Sequence, residues 1–243
     1  MLKFIIVCFY VMIVGIISIP QYIHVNIVGM KDPVKKIELS QMYVRRYFKF
    51  LLATCNIKVV ATGMENVPKD EAVLFVANHR GFFDIISTYA TIPVRVGFVA
   101  KKEIKKVPSL GVWMKYLKCL FLDRKDKRAS MKTILDAIEN VKSGQSMFIM
   151  PEGTRSKTPD MLPFKKGSFK IADKANAKVV PVGIVNSDEV FEKHFPRITS
   201  GTIYVHYGKP IDLPNMTKEE RGNVHIVAQQ AVQEILDKIK ADI

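Results

Sequence analysis

A long apolar segment at the N-terminus limits what this chain can fold into. From Phe4 to Met30 the sequence contains no Lys, Arg, Asp or Glu. A segment of this length and composition is typical of a helix that associates with a membrane. A secretory signal peptide is the alternative, but only Lys3 carries charge before the segment and no small-residue cleavage site follows Pro20, which favours a retained anchor.

Basic residues follow this segment closely. They are Lys31, Lys35, Lys36, Arg45, Arg46 and Lys49. The positive-inside tendency predicts that this side of the membrane is the cytoplasmic face. Residues 39–54 combine aromatic and basic side chains, so they form an amphipathic helix either on anionic headgroups or in the protein core. The sequence leaves both open, together with the question of whether Pro20 divides the membrane segment.

Net charge and cysteine content restrict the class of protein. The 37 Lys and Arg residues against 23 Asp and Glu leave a formal charge of +14, which attracts phosphates, anionic lipids or nucleic acid. The three cysteines, Cys8, Cys55 and Cys119, are odd in number and far apart. They predict no disulfide framework and no metal cluster, which favours a reducing compartment.

From residue 56 onward, short apolar runs alternate with segments of helical spacing. The runs that read as strands are 72–77, 96–100, 119–122, 146–150, 178–184 and 202–207. The apolar residues that start at Met131 recur at helical spacing. Thr217 and Glu220 predict a capping box at the start of the last helix, which we expect to cover the sheet. This alternation predicts an α/β domain with a mostly parallel central sheet flanked by helices, spanning 56–243 after an N-terminal membrane-anchoring helical segment, 1–55.

A histidine and a carboxylate lie just behind the first of these runs, in "FVANHRGFFD". Five residues separate His79 from Asp84, which on one continuous helix would place their side chains on different faces. If a strand ends before His79, Gly81 makes a turn and a helix opens near Asp84, the two side chains meet as a general base and its orienter. The alternative is a polar turn in which His79 is hydrogen-bonded and Asp84 caps the helix.

Charged residues end three other apolar runs. Lys101 and Lys102 follow one run, Asp123 and Arg124 another, and "PEGTRS" (151–156) the third. The carboxyl ends of parallel strands are where ligands bind in such sheets, and arginine matches phosphate with two parallel hydrogen bonds. Simpler interpretations are an Arg124 pair with Asp123, a solvated lysine, and a local Glu152 to Arg155 pair.

Four segments taken together resemble, in order, the motif blocks of the glycerolipid acyltransferase family. They are "NHRGFFD" (78–84), "AKKEIKKVPSLGVWMKYLKCLFLDR" (100–124), "FIMPEGTRS" (148–156) and "KVVPVGI" (178–184). The resemblance covers roughly residues 56–210, and its first and third blocks are the specific ones.

The resemblance implies transfer of an acyl chain from a thioester to the sn-2 hydroxyl of 1-acylglycerol 3-phosphate (lysophosphatidate), giving phosphatidic acid. It implies that His79 is the general base and Asp84 its orienter. The substrate-binding residues that it implies are Lys101, Arg124, Glu152, Gly153, Thr154 and Arg155. It implies neither a metal nor a further cofactor, with coenzyme A or acyl carrier protein carrying the acyl group. Glycerol 3-phosphate or another lysophospholipid stays open as the acceptor.

Two other classes of protein compete with this interpretation. A metal hydrolase would use His79, Asp84 and Glu152 as ligands, but the remaining histidines show no paired spacing. A non-enzymatic protein that binds anionic lipid or nucleic acid needs only the basic charge and the anchor. This second alternative does not require His79, Asp84 and Glu152 together, so we expect an enzyme of the bilayer surface with no nucleic-acid partner.

Overall fold

The computed structural model describes residues 1–107 and 109–243, and in this part of the chain it contains seven α-helices and seven strands. The strands are β1 Ile57–Thr62, β2 Leu74–Ala77, β3 Val96–Lys101, β4 Leu120–Leu122, β5 Ser146–Ile149, β6 Val179–Val185 and β7 Gly201–Tyr207. The helices are α1 Leu2–Lys31, α2 Pro33–Thr54, α3 Phe83–Thr91, α4 Leu110–Tyr116, α5 Lys127–Lys142, α6 Lys170–Ala175 and α7 Lys218–Ala241.

The strands form one mixed sheet in the order β1-β7-β6-β2-β5-β3-β4. The five strands β2 to β6 run parallel to their neighbours within this group. Only β7 pairs antiparallel with β6, and β1 then runs parallel to β7. The predicted α/β fold with a mostly parallel sheet is therefore confirmed.

Helices cover both faces of the sheet, because the central strands are apolar on both sides. Along β2, Phe75 and Ala77 face the core that contains α2, α3 and α4, while Leu74 and Val76 face the core beneath α5, α6 and α7. All four side chains are fully buried. Such two-sided burial is the reason that parallel strands read as continuous apolar runs.

The predicted strands and the predicted start of the last helix are confirmed, and one further strand was not predicted. The Thr217 and Glu220 capping box starts α7, and α7 packs on β6 as expected. The strand β1 was not predicted, since Lys58 interrupts its apolar residues and leaves no continuous apolar run. This strand lies at the edge of the sheet with one neighbour, where half-exposed side chains suffice.

The first helix, α1, continues through Pro20 without a break and lies lengthwise against the domain. Near its start Phe4 stacks on Phe191 with ring centroids 6.1 Å apart, and near its end Asn26 Nδ2 donates to Tyr116 Oη at 2.7 Å. It is long and apolar enough to cross a membrane. Its outward face carries an apolar stripe formed by Ile5, Phe9, Met12, Ile16, Ile23 and Ile27, each more than half exposed.

The second helix, α2, is a core helix on one face, which answers the alternative left open for residues 39–54. Its buried residues include Val44, Leu51 and Leu52, and it contacts α1, α3, α4 and β1. Arg46 and Phe50 stay exposed on other faces. The division at residue 55 falls in the link between α2 and β1, and the separate roles of 1–55 and 56–243 stay a prediction.

Candidate active site

The carboxyl ends of the parallel strands bring most of the predicted residues to one edge of the sheet. His79 follows β2, Lys101 ends β3, Arg124 follows β4 and Glu152 follows β5. These four strands are neighbours in the order β2-β5-β3-β4. Ligands bind at such an edge because several loops leave the sheet there and their side chains converge.

His79 and Asp84 meet across the turn between β2 and α3. His79 Nδ1 lies 2.7 Å from Asp84 Oδ2, and Asp84 is in the first turn of α3 with its side chain fully buried. Ahead of the turn, the buried Asn78 side chain bonds both the carbonyl and the N–H of Ile184 on β6, at 2.9 and 2.8 Å. The turn thus starts from a point fixed to the neighbouring strand.

The Asp84 carboxylate determines which ring nitrogen of His79 carries the proton. Asp84 Oδ2 also accepts the backbone N–H groups of Arg80 and Gly81, at 2.7 and 2.8 Å. An acceptor-only group next to Nδ1 favours the tautomer with a proton on that nitrogen, which leaves a lone pair on Nε2. The His79 side chain is 20% exposed, and its Nε2 has no hydrogen-bond partner in residues 1–107 and 109–243. It is therefore available to accept a proton from a ligand.

Glu152 holds two loops together from a buried position. Its Oε1 accepts the backbone N–H of His79 at 2.6 Å, and its Oε2 accepts that of Leu162 at 2.9 Å. The residue is 2% exposed, and this burial raises the pKa of its carboxyl above the ordinary value, against the lowering effect of the two N–H donors. Both oxygens are used by backbone, so the geometry fits positioning of His79 better than direct contact with a ligand.

The turn after Glu152 places Gly153, Thr154 and Arg155 at the surface of the site. Gly153 has φ +74°, a left-handed conformation that glycine adopts without strain. Thr154 is exposed. The Arg155 guanidinium does not pair with Glu152: it lies 3.1 Å from Glu192 Oε1 and 4.4 Å from the centroid of the Phe82 ring.

Lys101 and Arg124 lie further along the same edge. The Lys101 ammonium is 3.6 Å from Glu103 and largely exposed. Asp123 pairs with Lys102 at 2.5 Å, which leaves the exposed Arg124 without an ion pair among the described residues. Three strand spacings separate β2 from β4, about 14 Å in all, so only a long side chain or an extended ligand links Arg124 to His79.

Two acidic residues of the segment after β6 complete the site, and sequence reasoning missed both. Asp188 Oδ2 accepts from Arg80 Nε and Nη2 at 3.2 and 2.5 Å. Glu192 Oε1 accepts the backbone N–H of Phe82 at 2.7 Å, while its Oε2 is buried without a partner in the described chain. Burial, followed by the nearby Asp84 charge, raises the pKa of the Glu192 carboxyl. Their distance along the sequence from His79 gives no local signal for either contact.

Four consecutive backbone N–H groups in this turn therefore point at carboxylates. The N–H of His79 donates to Glu152, those of Arg80 and Gly81 to Asp84, and that of Phe82 to Glu192. Buried backbone donors need such partners. The result is a turn whose shape is set by three side chains from different parts of the chain.

Cysteine and metal chemistry find little support in the described residues. Cys119 is buried, and this burial raises the pKa of its thiol to about 12, while burial also raises the pKa of the Cys55 thiol. A thiol of this kind is a poor nucleophile near neutral pH. Within 1–107 and 109–243, no three His, Cys, Asp or Glu side chains are grouped so that they could hold a metal ion.

Comparison with known proteins gives one consistent result. The Acyltransferase family model matches residues 58–185. The 1-acyl-sn-glycerol-3-phosphate acyltransferase of Saccharomyces cerevisiae is 33% identical over 211 residues, covering 84% of this chain and 68% of the yeast protein. The protein of the same name from Borreliella burgdorferi is 28% identical, covering 83% and 81% of the two chains.

A solved structure agrees over nearly the whole length. The crystal structure of the 1-acyl-sn-glycerophosphate (LPA) acyltransferase PlsC from Thermotoga maritima superimposes with a TM-score of 0.82 at 26% identity. The match covers 99% of this chain and 97% of that one, so it includes the α1 and α2 helices. On the evidence of the family model and the yeast relative, the chain belongs to the acyltransferase family.

Proposed function

We propose that this protein transfers an acyl chain from a thioester to the sn-2 hydroxyl of 1-acylglycerol 3-phosphate, giving phosphatidic acid. The observation that carries the proposal is the His79–Asp84 pair, 2.7 Å apart, with Nε2 open to a ligand at the carboxyl edge of the sheet. The names of the relatives from Saccharomyces cerevisiae, Borreliella burgdorferi and Thermotoga maritima support the choice of substrate.

His79 acts as the general base in this proposal. Its Nε2 takes the proton of the acceptor hydroxyl while the hydroxyl oxygen attacks the thioester carbonyl carbon. The new C–O ester bond forms, the C–S bond breaks, and the proton on Nε2 passes to the departing thiolate sulfur. General-base assistance of this kind is worth about 10² to 10⁴ in rate.

Asp84 supports the proton transfer without touching the substrate. Its charge next to Nδ1 keeps the imidazole in the required tautomer and stabilises the imidazolium that forms during attack. Glu152 fixes the His79 backbone from the other side. The acyl group passes directly from thioester to hydroxyl, since the buried Cys55 and Cys119 thiols are poorly suited to form an acyl-enzyme.

The phosphate of the acceptor binds along the basic part of the edge. Arg155 and the Gly153 and Thr154 turn lie nearest to His79, and Lys101 and Arg124 extend the positive region over the adjacent strands. Arginine donors match phosphate oxygens in pairs, and holding the phosphate fixes which hydroxyl faces Nε2. Because Arg155 is paired with Glu192, phosphate binding has to share or replace this contact.

The thioester donor carries coenzyme A or acyl carrier protein. Both carriers are anionic, and a protein of net charge +14 attracts either one. No other cofactor enters the proposed reaction, because the proton and the acyl group are the only species transferred.

Membrane association follows from α1. Its exposed apolar stripe faces away from the domain along the whole helix, while contacts at Phe4 and Asn26 hold both ends on the domain surface. This arrangement suits a helix that lies in the membrane interface, with the catalytic domain on the cytoplasmic face as the basic residues after Met30 suggest.

The test is acyl transfer by the purified protein in detergent, followed as release of free thiol from an acyl thioester in the presence of lysophosphatidate. We expect His79→Ala to lose at least about 10²-fold in kcat. His206→Ala is the matched control, because His206 lies on β7, two strands away from β2.

Different results would lead to other conclusions. Turnover only with glycerol 3-phosphate or another lysophospholipid would change the acceptor and keep the mechanism. No turnover with either coenzyme A or acyl carrier protein thioesters, over all acceptors, would return the protein to a lipid-binding role. Equal activity of His79→Ala and His206→Ala would reject His79 as the base.

A further inference from the structure

A basic cleft lies between α2 and the segment that links α3 to β3. Its volume is about 450 Å³. Four cationic side chains line it, Arg45, Arg46, Lys49 and Arg95, together with one carboxylate, Glu38. The proposed reaction uses none of these residues.

The positive charges of this cleft are not neutralised by other residues of the described chain. Four cations against one carboxylate leave a surplus of three positive charges. None of the five takes part in an ion pair with another residue of the described chain. Cations that converge on a concave surface without counter-charges concentrate their field there and attract anions.

The walls of the cleft are held in place by backbone contacts. Arg45 Nη2 donates to the Ile92 carbonyl, while its Nε is buried without a partner in the residues that the structure describes. Gln41 bonds the Val94 carbonyl at 2.7 Å and the Val96 N–H at 3.3 Å. The contact with Ile92 fixes Arg45 at the wall of the cleft, where its positive charge adds to the attraction of an anion.

The cleft is distinct from the active site. The helix α3 starts at the His79 turn and ends at Thr91, next to the cleft, and its length of nine residues corresponds to about 13 Å. The linking segment leads into the first residue of β3, at the amino edge of the sheet. An anion in this cleft therefore does not contact His79.

The cleft also lies close to the proposed membrane surface. On α2, Tyr43, Tyr47 and Phe50 contact α1, whereas the cleft residues occupy the opposite flank of the helix. Only the width of one helix, about 10 Å, separates the cleft from the apolar helix α1. Phosphate headgroups lie within reach when α1 rests at the boundary between headgroups and acyl chains.

We infer that this cleft is a second anion site, which binds the phosphate-monoester headgroup of an anionic membrane lipid. A monoester carries up to two negative charges and three free oxygens, which suits a surplus of three cations better than a singly charged diester does. The inference does not depend on the acyl-transfer reaction, since it concerns binding at the other edge of the sheet.

The test is isothermal titration of the full-length protein, in nonionic detergent, with dihexanoyl phosphatidic acid. The cleft variant carries Arg46→Gln, Lys49→Gln and Arg95→Gln, and leaves the anchored Arg45 in place. The control variant carries Lys127→Gln, Arg128→Gln and Lys132→Gln, which removes the same charge from exposed positions of α5 on the other face of the sheet. Both are made in an Arg124→Ala, Arg155→Ala background, which removes two cations predicted to hold phosphate in the active site.

We expect the cleft variant to bind dihexanoyl phosphatidic acid about tenfold more weakly or worse, which corresponds to about 1.4 kcal/mol, while the control keeps the affinity of the background. Dihexanoyl phosphatidylglycerol and inorganic phosphate should both bind more weakly than dihexanoyl phosphatidic acid. An unchanged affinity of the cleft variant, or an equal loss in the control, would overturn the site. Equal affinity for inorganic phosphate would overturn the lipid as its ligand and assign the cleft to free phosphate.

Discussion

Replacing Asp84 by Asn tests the proposed catalytic pair with the smallest change of shape. Asp84 Oδ2 accepts three hydrogen bonds, from His79 Nδ1 and from the N–H groups of Arg80 and Gly81. The Asn carbonyl oxygen accepts the same three donors, so the turn keeps its form. What the substitution removes is the negative charge that faces the imidazolium during proton transfer.

The magnitude follows from the distance between the two groups. At 2.7 Å and an effective dielectric constant of about 20, the attraction between carboxylate and imidazolium is about 6 kcal/mol. The neutral hydrogen bond that remains in the variant restores about 1 kcal/mol. A net loss of about 5 kcal/mol in the transition state lowers kcat by about 10³ to 10⁴.

The assay compares thiol release by the parent, Asp84→Asn, His79→Ala and the double variant, each checked for folding by circular dichroism. Because Asp84 acts only through His79, the double variant should be no slower than His79→Ala alone. The unpaired amide nitrogen at the Oδ1 position costs about 1 to 3 kcal/mol of stability, measured by urea unfolding. A loss of less than tenfold in Asp84→Asn, or losses that multiply in the double variant, would refute the proposed pair.

Three further predictions concern the turn, the membrane helix and the pH dependence. Gly153 and Gly144 have φ +74° and +85°, so Gly153→Ala and Gly144→Ala should each lower the free energy of unfolding in urea by about 1 to 2 kcal/mol. Only Gly153→Ala should also lose activity in the thiol-release assay. Ile16→Glu should weaken vesicle binding about tenfold and the exposed control Leu135→Glu should not, as flotation would show. Because its pKa is raised, Glu192 contributes fully to stability below pH 4.5 and contributes less as pH rises. In urea unfolding at several pH values, Glu192→Gln should therefore show a smaller decline of the free energy of unfolding with rising pH than the parent. The same decline in both proteins would contradict this.

Much of the fold follows from the sequence because buried parallel strands leave an unmistakable pattern. Six of the seven strands coincide with the predicted runs, and every residue of the central strands β2, β5 and β6 is buried because helices cover both faces of the sheet there. The strand β1 is different: it forms an edge, and Lys58 interrupts its apolar residues. The packing of α2 was equally undetermined, because an amphipathic helix has the same pattern on a membrane and on a protein core.

The candidate site is only partly encoded in local patterns. The five-residue separation of His79 and Asp84 indicates a turn, and the structure contains this turn. The pairing of Arg155 is the contrasting case, since Glu152 is three residues away and yet Arg155 pairs with Glu192, 37 residues further along. Spacing along the chain cannot reveal such a contact, because it depends on where the segment after β6 crosses the carboxyl edge of the sheet.

The position of His79 therefore depends on negative charge brought together by the whole fold. Asp84 comes from α3, Glu152 from the turn after β5 and Glu192 from the segment after β6, and each accepts backbone N–H groups of residues 79–82. Burial raises the pKa of both glutamates, which is an energetic cost of this arrangement. In the proposed reaction, these carboxylates stabilise the positive charge that develops on the imidazole as His79 takes the proton of the acceptor hydroxyl. Burial of these carboxylates thus destabilises the folded state, while their charge stabilises the transition state of the proposed reaction.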